Sequence, residues 1–177
     1  MEEALEKRLG ELLLQLKSGD VSALAEIDSI VGKRLRVYAN SFYLQKADVD
    51  DSIQALLYKL YYASKRYKEK KHALAWVFKI YKNMVKDNKK RKVAELLILT
   101  KQAKEELLKN NGGDEYIFNY IFLNDLMSKL DKDECELLRC VFLVGLSYSE
   151  TAEILKRPKS TIEYRVNKLK EKIKNMK

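Results

Sequence analysis

The sequence is poor in chain breakers and in metal- or redox-active side chains. One proline and six glycines occur among 177 residues. Proline removes a backbone donor and glycine weakens helix interiors, so the scarcity of both leaves long stretches free to be helical. Leu, Lys, Glu and Ala dominate instead, and the chain is expected to be all-α. The two cysteines, Cys135 and Cys140, are five apart in one expected helix. They point to different faces, so no disulfide is expected. With a single histidine beside them, a zinc site is not expected, and neither is any other metal or cofactor. No run of about 18 apolar residues is present, and the N-terminal stretch lacks a signal-peptide pattern. Those absences predict no membrane insertion and a cytoplasmic location.

What the chain has in excess is positive charge. The formal net charge is +9, with 35 Lys and Arg, and the hydrophobic content of 46% is enough for a core. A strongly basic chain favours nucleic acid or an anionic membrane surface. The charge is distributed in blocks. Residues 1–58 carry a net −3, residues 59–92 a net +11, residues 93–134 a net −4, and the last 43 residues a net +5. Two basic blocks separated by an acidic spacer suit two DNA-contacting units joined by a segment that stays off DNA. The expected organisation is two small helical domains, residues 1–92 and 116–177, joined by an acidic linker at 93–115. Asn110-Asn111-Gly112-Gly113-Asp114 is the strongest turn signal in that linker.

Apolar periodicity places the helices. Glu2 to Lys17 has Leu5, Leu9, Leu12, Leu13 and Leu16 on one side. Val21 to Tyr43 has Leu24, Ile27, Leu35 and Tyr38 at helical spacing. Asp48 to Lys65 opens with Asp48, Asp50 and Asp51, which complement a helix dipole, and its apolar face is Ile53, Leu56, Leu57 and Leu60. After a charged connector at 67–72, Ala73 to Lys92 turns Leu74, Val77, Ile80 and Tyr81 inward. Val93 to Lys109 remains compatible with helix. Tyr116 to Leu130 and Asp131 to Leu143 open the second domain.

Residues 137–169 read as three short apolar-periodic segments with two turns between them. Gly145 ends the first, and Ser147 or Ser149 can cap the second. Lys156-Arg157-Pro158-Lys159 contains the only proline. Ser160, with Glu163 three residues on, is positioned as the cap of the last helix, and Ile162, Val166 and Leu169 form its inner face. Two short helices, a tight turn and a basic second helix make a helix-turn-helix, whose second helix lies in the major groove. The outward residues are Lys159, Ser160, Thr161, Glu163, Tyr164, Asn167 and Lys168, with Arg165 placed to contact phosphate. An ordinary helical hairpin with a solvated basic face has the same pattern.

The +11 block interleaves aromatics with cations: Tyr58, Tyr61, Tyr62, Tyr67 and Trp76 among Lys59, Lys65, Lys68, Lys71, Lys79, Lys82 and Lys86. Stacking rings beside phosphate-tracking cations suit single-stranded nucleic acid. The same aromatics are equally compatible with a core.

From His72 to Arg91 the chain resembles the promoter-reading helix of bacterial sigma factors of the sigma-70 family, in the compact extracytoplasmic-function type. Ala75, Trp76, Phe78, Ile80, Asn83, Asp87 and a basic run that includes Lys90 and Arg91 match that family's pattern. Asp48-Val49-Asp50-Asp51-Ser52-Ile53-Gln54-Ala55-Leu56-Leu57 is similar to its polymerase-docking helix. The helix-turn-helix and its lead-in (Arg139 to Ser147) are similar to its C-terminal domain. The three stretches occur in the family's order.

The resemblance implies a non-enzymatic factor that binds the bacterial RNA polymerase core through Asp48, Asp50, Asp51, Gln54 and Leu57. It implies engagement and melting of the −10 promoter element by Tyr67, Lys68, Lys71, Trp76, Lys79, Asn83, Lys86, Asp87, Lys90 and Arg91. It places the helix at Ser160 on the −35 element. It also implies promoter DNA as ligand and an anti-sigma factor as a candidate partner; a monomer when free is the default expectation. The chain departs from the pattern at Ser52, at Glu150-Thr151-Ala152 and at Glu163, which either accepts from a cytosine amino group or serves the helix cap. A stand-alone helix-turn-helix regulator is the competing reading. An enzyme using the Asp48, Asp50, Asp51 cluster lacks a second acidic group to complete a site.

Overall fold

The computed structural model describes residues 2–41, 46–69, 72–98 and 122–176. The chain is all-α, and no strand occurs among the described residues. Helix α1 (Glu2–Ser18) buries Leu9, Leu12, Leu13 and Leu16. It ends at Gly19, whose φ of 109° only glycine adopts easily. Asp20 donates its N–H to the Gln15 carbonyl there, satisfying one open acceptor of the helix end. Helix α2 (Ala23–Asn40) buries Ile27, Val31, Leu35 and Tyr38, the expected spacing. Helix α3 (Lys46–Ser64) buries Val49, Ile53, Leu56 and Leu60, with Leu57 half-exposed at the margin.

Helix α4 (Ala73–Ile98) runs through the middle of this group and buries Leu74, Val77, Phe78, Tyr81 and Val85. Phe78 meets Tyr38 edge-on at 4.8 Å between ring centroids, and the Tyr81 hydroxyl shares a 2.6 Å hydrogen bond with Ser52 Oγ. Ser52, a departure from the apolar pattern, is therefore a buried partner for a buried phenol. The start of α4 is capped from far away in sequence. The Glu6 carboxylate accepts from the N–H groups of Ala73 (2.7 Å) and Leu74 (3.2 Å). A carboxylate there also suits the positive end of the helix. The helix continues to Ile98, past the expected end at Lys92. Val93-Ala94-Glu95-Leu96-Leu97-Ile98 contains no breaker and mostly strong helix formers, so nothing local stops it. The Asn110–Asp114 turn signal lies outside the described residues, as does most of the expected linker.

The C-terminal helices are α5 (residues 122–128), α6 (Lys132–Leu137), α7 (Tyr148–Leu155) and α8 (Lys159–Lys174). Helix α6 starts with a reciprocal capping box between Asp131 and Glu134. It does not continue as a regular helix to Leu143. Leu138–Leu143 widen into a π-helical turn, closed by Val144 N–H to Arg139 C=O and by Leu146 N–H to Cys140 C=O. Gly145, at φ 74°, reverses the chain. Met127, Leu137, Leu138, Ile162, Val166 and Leu169 then form a second core. Cys140, Val144 and Leu146 do not belong to it. They are buried in the first core, against the N-terminal helices. The widened turn rotates these three away from the α8 side, so the two helical groups pack on one another.

The helix-turn-helix is formed by α7, a three-residue turn and α8. Ser147, not Ser149, caps α7, in a capping box with Glu150. Lys156 ends α7 in the left-handed region at φ 53°, a position usually given to glycine. The expected cap at Ser160 is corrected. Pro158 occupies the N-cap position with no side-chain hydrogen bond, and its carbonyl accepts from Ile162 N–H at 3.1 Å. The ring's fixed φ and extended ψ set the entry angle of α8, so Ser160 falls inside the first turn, exposed, and Glu163 has no capping role. Ser147→Ala is therefore expected to lower stability by about 1 kcal/mol in urea denaturation. Ser160→Ala is expected to be near neutral. Equal losses from both would contradict this assignment.

Candidate nucleic-acid and polymerase interface

Three outward faces carry the residues singled out in the sequence. On α3, Asp50, Asp51 and Gln54 are exposed, while Asp48 and Leu57 are half-buried beside them. Asp50 pairs with Arg36 of α2 at 3.4 Å, and Arg36 also bonds Asp28 at 3.2 Å. These pairs are open to solvent and hold Asp50 only weakly, leaving it available to a basic partner.

On α4, Lys79, Asn83, Lys86 and Asp87 are exposed, at i, i+4, i+7 and i+8, and so share one face. The opposite face of the same helix is the centre of the first core. Trp76 is half-buried and packs edge-on against Tyr67 at 4.9 Å. Tyr67 is corrected as a base-contacting candidate. It is fully buried, and its backbone carbonyl accepts from Lys17 Nζ at 2.8 Å. Burial of the ring anchors the start of the connector against α1, and that role excludes stacking on a base in this arrangement. Lys68 is exposed next to it. Lys71 lies outside the described residues, and Lys90 and Arg91 fall within the helical span of α4. The exposed rings of this block are instead Tyr58 and Tyr62 on α3, joined by a 3.1 Å hydroxyl contact.

On α8, Lys159, Ser160, Glu163, Tyr164, Asn167 and Lys168 are exposed and Thr161 is half-exposed. Lys168 Nζ sits 5.3 Å from the Tyr164 ring centroid, a cation–π contact at a solvated site. Arg165 is not free. It shares Asp133 of α6 with Arg157, both at 2.7 Å. The Arg165 hydrogen bond, supported by charge from both guanidiniums, holds the Asp133 carboxyl below the usual range.

Sequence reasoning missed the groups that join the two helical units. Glu136 of α6 bonds Lys82 at 2.5 Å and Lys86 at 3.1 Å, both on α4. The Lys82 and Glu136 side chains are only 11% and 19% exposed, so this pair is far less screened than the others. Burial pushes the Glu136 carboxyl up, but hydrogen bonds and charge from the two lysines outweigh it and hold it below its ordinary value. Arg139, in the π turn, donates to Ser41 Oγ at 3.0 Å. On the other side of the contact, Glu6 of α1 faces Glu150 of α7. Burial, then a hydrogen bond and like charge from Glu150, raise the Glu6 carboxyl, against the α4 N–H groups that favour its charged form. The local signal was slight: Glu136 lies in the acidic run Asp131-Lys132-Asp133-Glu134-Cys135-Glu136, and nothing in sequence pairs it with α4.

No family model matches the chain, and no curated protein sequence matches it. Among solved structures, the fold matches that of CnrH in complex with the cytosolic domain of CnrY. The TM-score is 0.70, over 96% of each chain, at 22% sequence identity. At that identity the likeness is one of fold.

The two carboxylate contacts have opposite pH dependence. Glu6 has a raised folded-state pKa, so its stabilisation is full below the ordinary glutamate value of 4.5 and is lost as pH rises through the raised value. Glu136 has a lowered pKa, so its contribution is present above that ordinary value and is lost on further acidification. Glu150→Gln keeps a capping-box acceptor and removes the like charge. It is expected to raise the calorimetric melting temperature at about pH 7, with the gain vanishing towards about pH 4. A gain that is constant with pH would contradict the Glu6–Glu150 assignment.

Proposed function

We propose that this chain is a sigma factor of the compact extracytoplasmic-function type, which binds RNA polymerase core and directs it to promoters. The observation that carries the reading is the pairing, in one chain, of two solvent-facing polar helices. The Lys79–Asn83–Lys86–Asp87 face lies on α4, and the basic face of α8 lies in a helix-turn-helix. Support comes also from the fold likeness to CnrH over nearly the whole of both chains. No catalytic role is assigned to any residue. The polymerase already holds the reactive site, and this chain supplies selection.

In this reading residues 1–92 form the polymerase-binding and −10 unit. Asp50, Asp51 and Gln54, with Asp48 and Leu57 at the edge, meet the polymerase. Asn83, Lys86 and Asp87, with Lys79, Lys68 and the Trp76 edge, meet the melted −10 region. The basic run through Lys90 and Arg91 follows the backbone. Residues 116–177 place α8 in the major groove of the −35 element, where Lys159, Thr161, Glu163, Tyr164, Asn167 and Lys168 approach base edges or phosphates. Glu163, exposed and without a capping role, is the acceptor for a cytosine amino group. Residues 93–115 bridge the two along the polymerase. Cations on both units make binding salt-dependent. The structure of CnrH contains the cytosolic domain of CnrY, and by likeness an anti-sigma domain is the proposed inhibitor of this chain. The proposed setting is the bacterial cytoplasm. No helix among the described residues is long and apolar enough to cross a membrane.

Binding to polymerase separates this reading from a stand-alone DNA-binding regulator. The purified chain is expected to co-elute with sigma-free bacterial core polymerase in gel filtration. Asp50→Arg combined with Gln54→Ala is expected to weaken that association by about tenfold or more. A wild-type chain that binds duplex DNA but elutes apart from core polymerase would favour the regulator.

A further inference from the structure

Lys82 is a cation almost withdrawn from water on the DNA-facing helix of the proposed sigma factor. Its side chain is 11% exposed. A charge at such a site needs an anionic partner, because removing the partner leaves it desolvated and unpaired. The partner is Glu136. One carboxylate bridges two ammonium groups, Oε2 to Lys82 and Oε1 to Lys86, at 2.5 Å and 3.1 Å. A phosphodiester offers the same recognition: two oxygens on one anionic centre, able to bridge two cations one helical turn apart.

The other acids of α6 behave differently. Asp133 pairs with Arg157 and Arg165, and Glu134 with Lys172, all within the C-terminal helices and all well exposed on the basic side. Those pairs survive separation of the two helical units. Glu136 does not, since it reaches across to α4.

We propose that Lys82 and Lys86 form a phosphate-binding pair, and that Glu136 is an intramolecular stand-in for the DNA backbone that must be displaced when DNA binds there. The inference rests on the reading of α4 as a DNA-facing helix. DNA at this pair and the closed packing of the two units are then mutually exclusive. The closed arrangement also buries Cys140, Val144 and Leu146. Loss of the Glu136 charge therefore shifts the balance towards opening without abolishing the packing.

The test uses the full chain and a fluorescein-labelled DNA duplex with an unpaired central bubble, followed by anisotropy at low salt. Glu136→Gln, shown to be folded by circular dichroism, is expected to tighten binding about fivefold or more. Glu136→Ala, which leaves no amide in the site, is expected to do the same. Glu153→Gln removes an exposed carboxylate elsewhere on the same unit and is expected to change affinity by less than about twofold. In a Lys82→Gln, Lys86→Gln background, Glu136→Gln is expected to have no effect. Equal binding by wild type and both Glu136 variants would overturn the inference while leaving the DNA-facing reading intact. So would a tightening that persists without the two lysines. Failure of every variant, wild type included, to bind DNA would remove the DNA-facing reading and the inference with it.

Discussion

Burial of one side of α4 is the constraint on which the rest depends. Val77, Phe78, Tyr81 and Val85 are withdrawn from solvent among α1, α2 and α3. Each fully buried side chain of this size contributes roughly 1.5–3 kcal/mol, far more than any exposed ion pair around it. That burial fixes the helix rotationally. Once the apolar side faces in, Lys79, Asn83, Lys86 and Asp87 must face out. The edge-on contact of Phe78 with Tyr38 and the Tyr81–Ser52 hydrogen bond then set its position along the axis. A functional face on such a helix is held by a core, not by a loop, and its geometry is correspondingly rigid.

The contact between the two helical units has a different character. Its apolar part is Cys140, Val144 and Leu146, at and just after a π-helical turn, with Ile154 and Leu155 partly buried against the same core. Its polar part is mixed. Glu136 between Lys82 and Lys86 favours closure, while Glu6 against Glu150 opposes it whenever both are ionised. Burial also pushes the Cys140 thiol up to about 12, so it acts as a small apolar side chain and not as a thiolate. An interface with an internal like-charge pair is suited to opening. Among the described residues the N-terminal core has no like-charge pair of this kind, and it is suited to staying intact.

Much of this was legible in the sequence. The i, i+3, i+4, i+7 spacing of Leu9, Leu12, Leu13 and Leu16, and the i, i+4, i+7 spacing of Ile162, Val166 and Leu169, marked both cores, because helical period and burial are coupled directly. The outward residues of α8 followed from the same count. Four features were not legible. The π turn at Leu138–Leu143 keeps an ordinary helical sequence, and the packing of Cys140 and Val144 on the other unit that accompanies the wider winding leaves no mark in it. Tyr67 sits among cations, where its sequence context is equally compatible with surface and core, and its packing beside Trp76 places it in the core. Pro158 displaced Ser160 as the helix start because its ring pre-sets the entry, a local geometry that outranked a better hydrogen-bonding side chain. Glu136 escaped for a related reason: ion pairs 50 or more residues apart leave no periodic trace.

Promoter-directed initiation is the central claim, and run-off transcription tests it most directly. Sigma-free bacterial core polymerase would be supplied with the purified chain and a library of promoter fragments that includes AT-rich upstream regions. The account predicts discrete run-off products from a subset of fragments, lost when Asn83 and Asp87 are both changed to Ala in a chain that still folds. Absence of chain-dependent products from every fragment would contradict it, as would products indifferent to the double change.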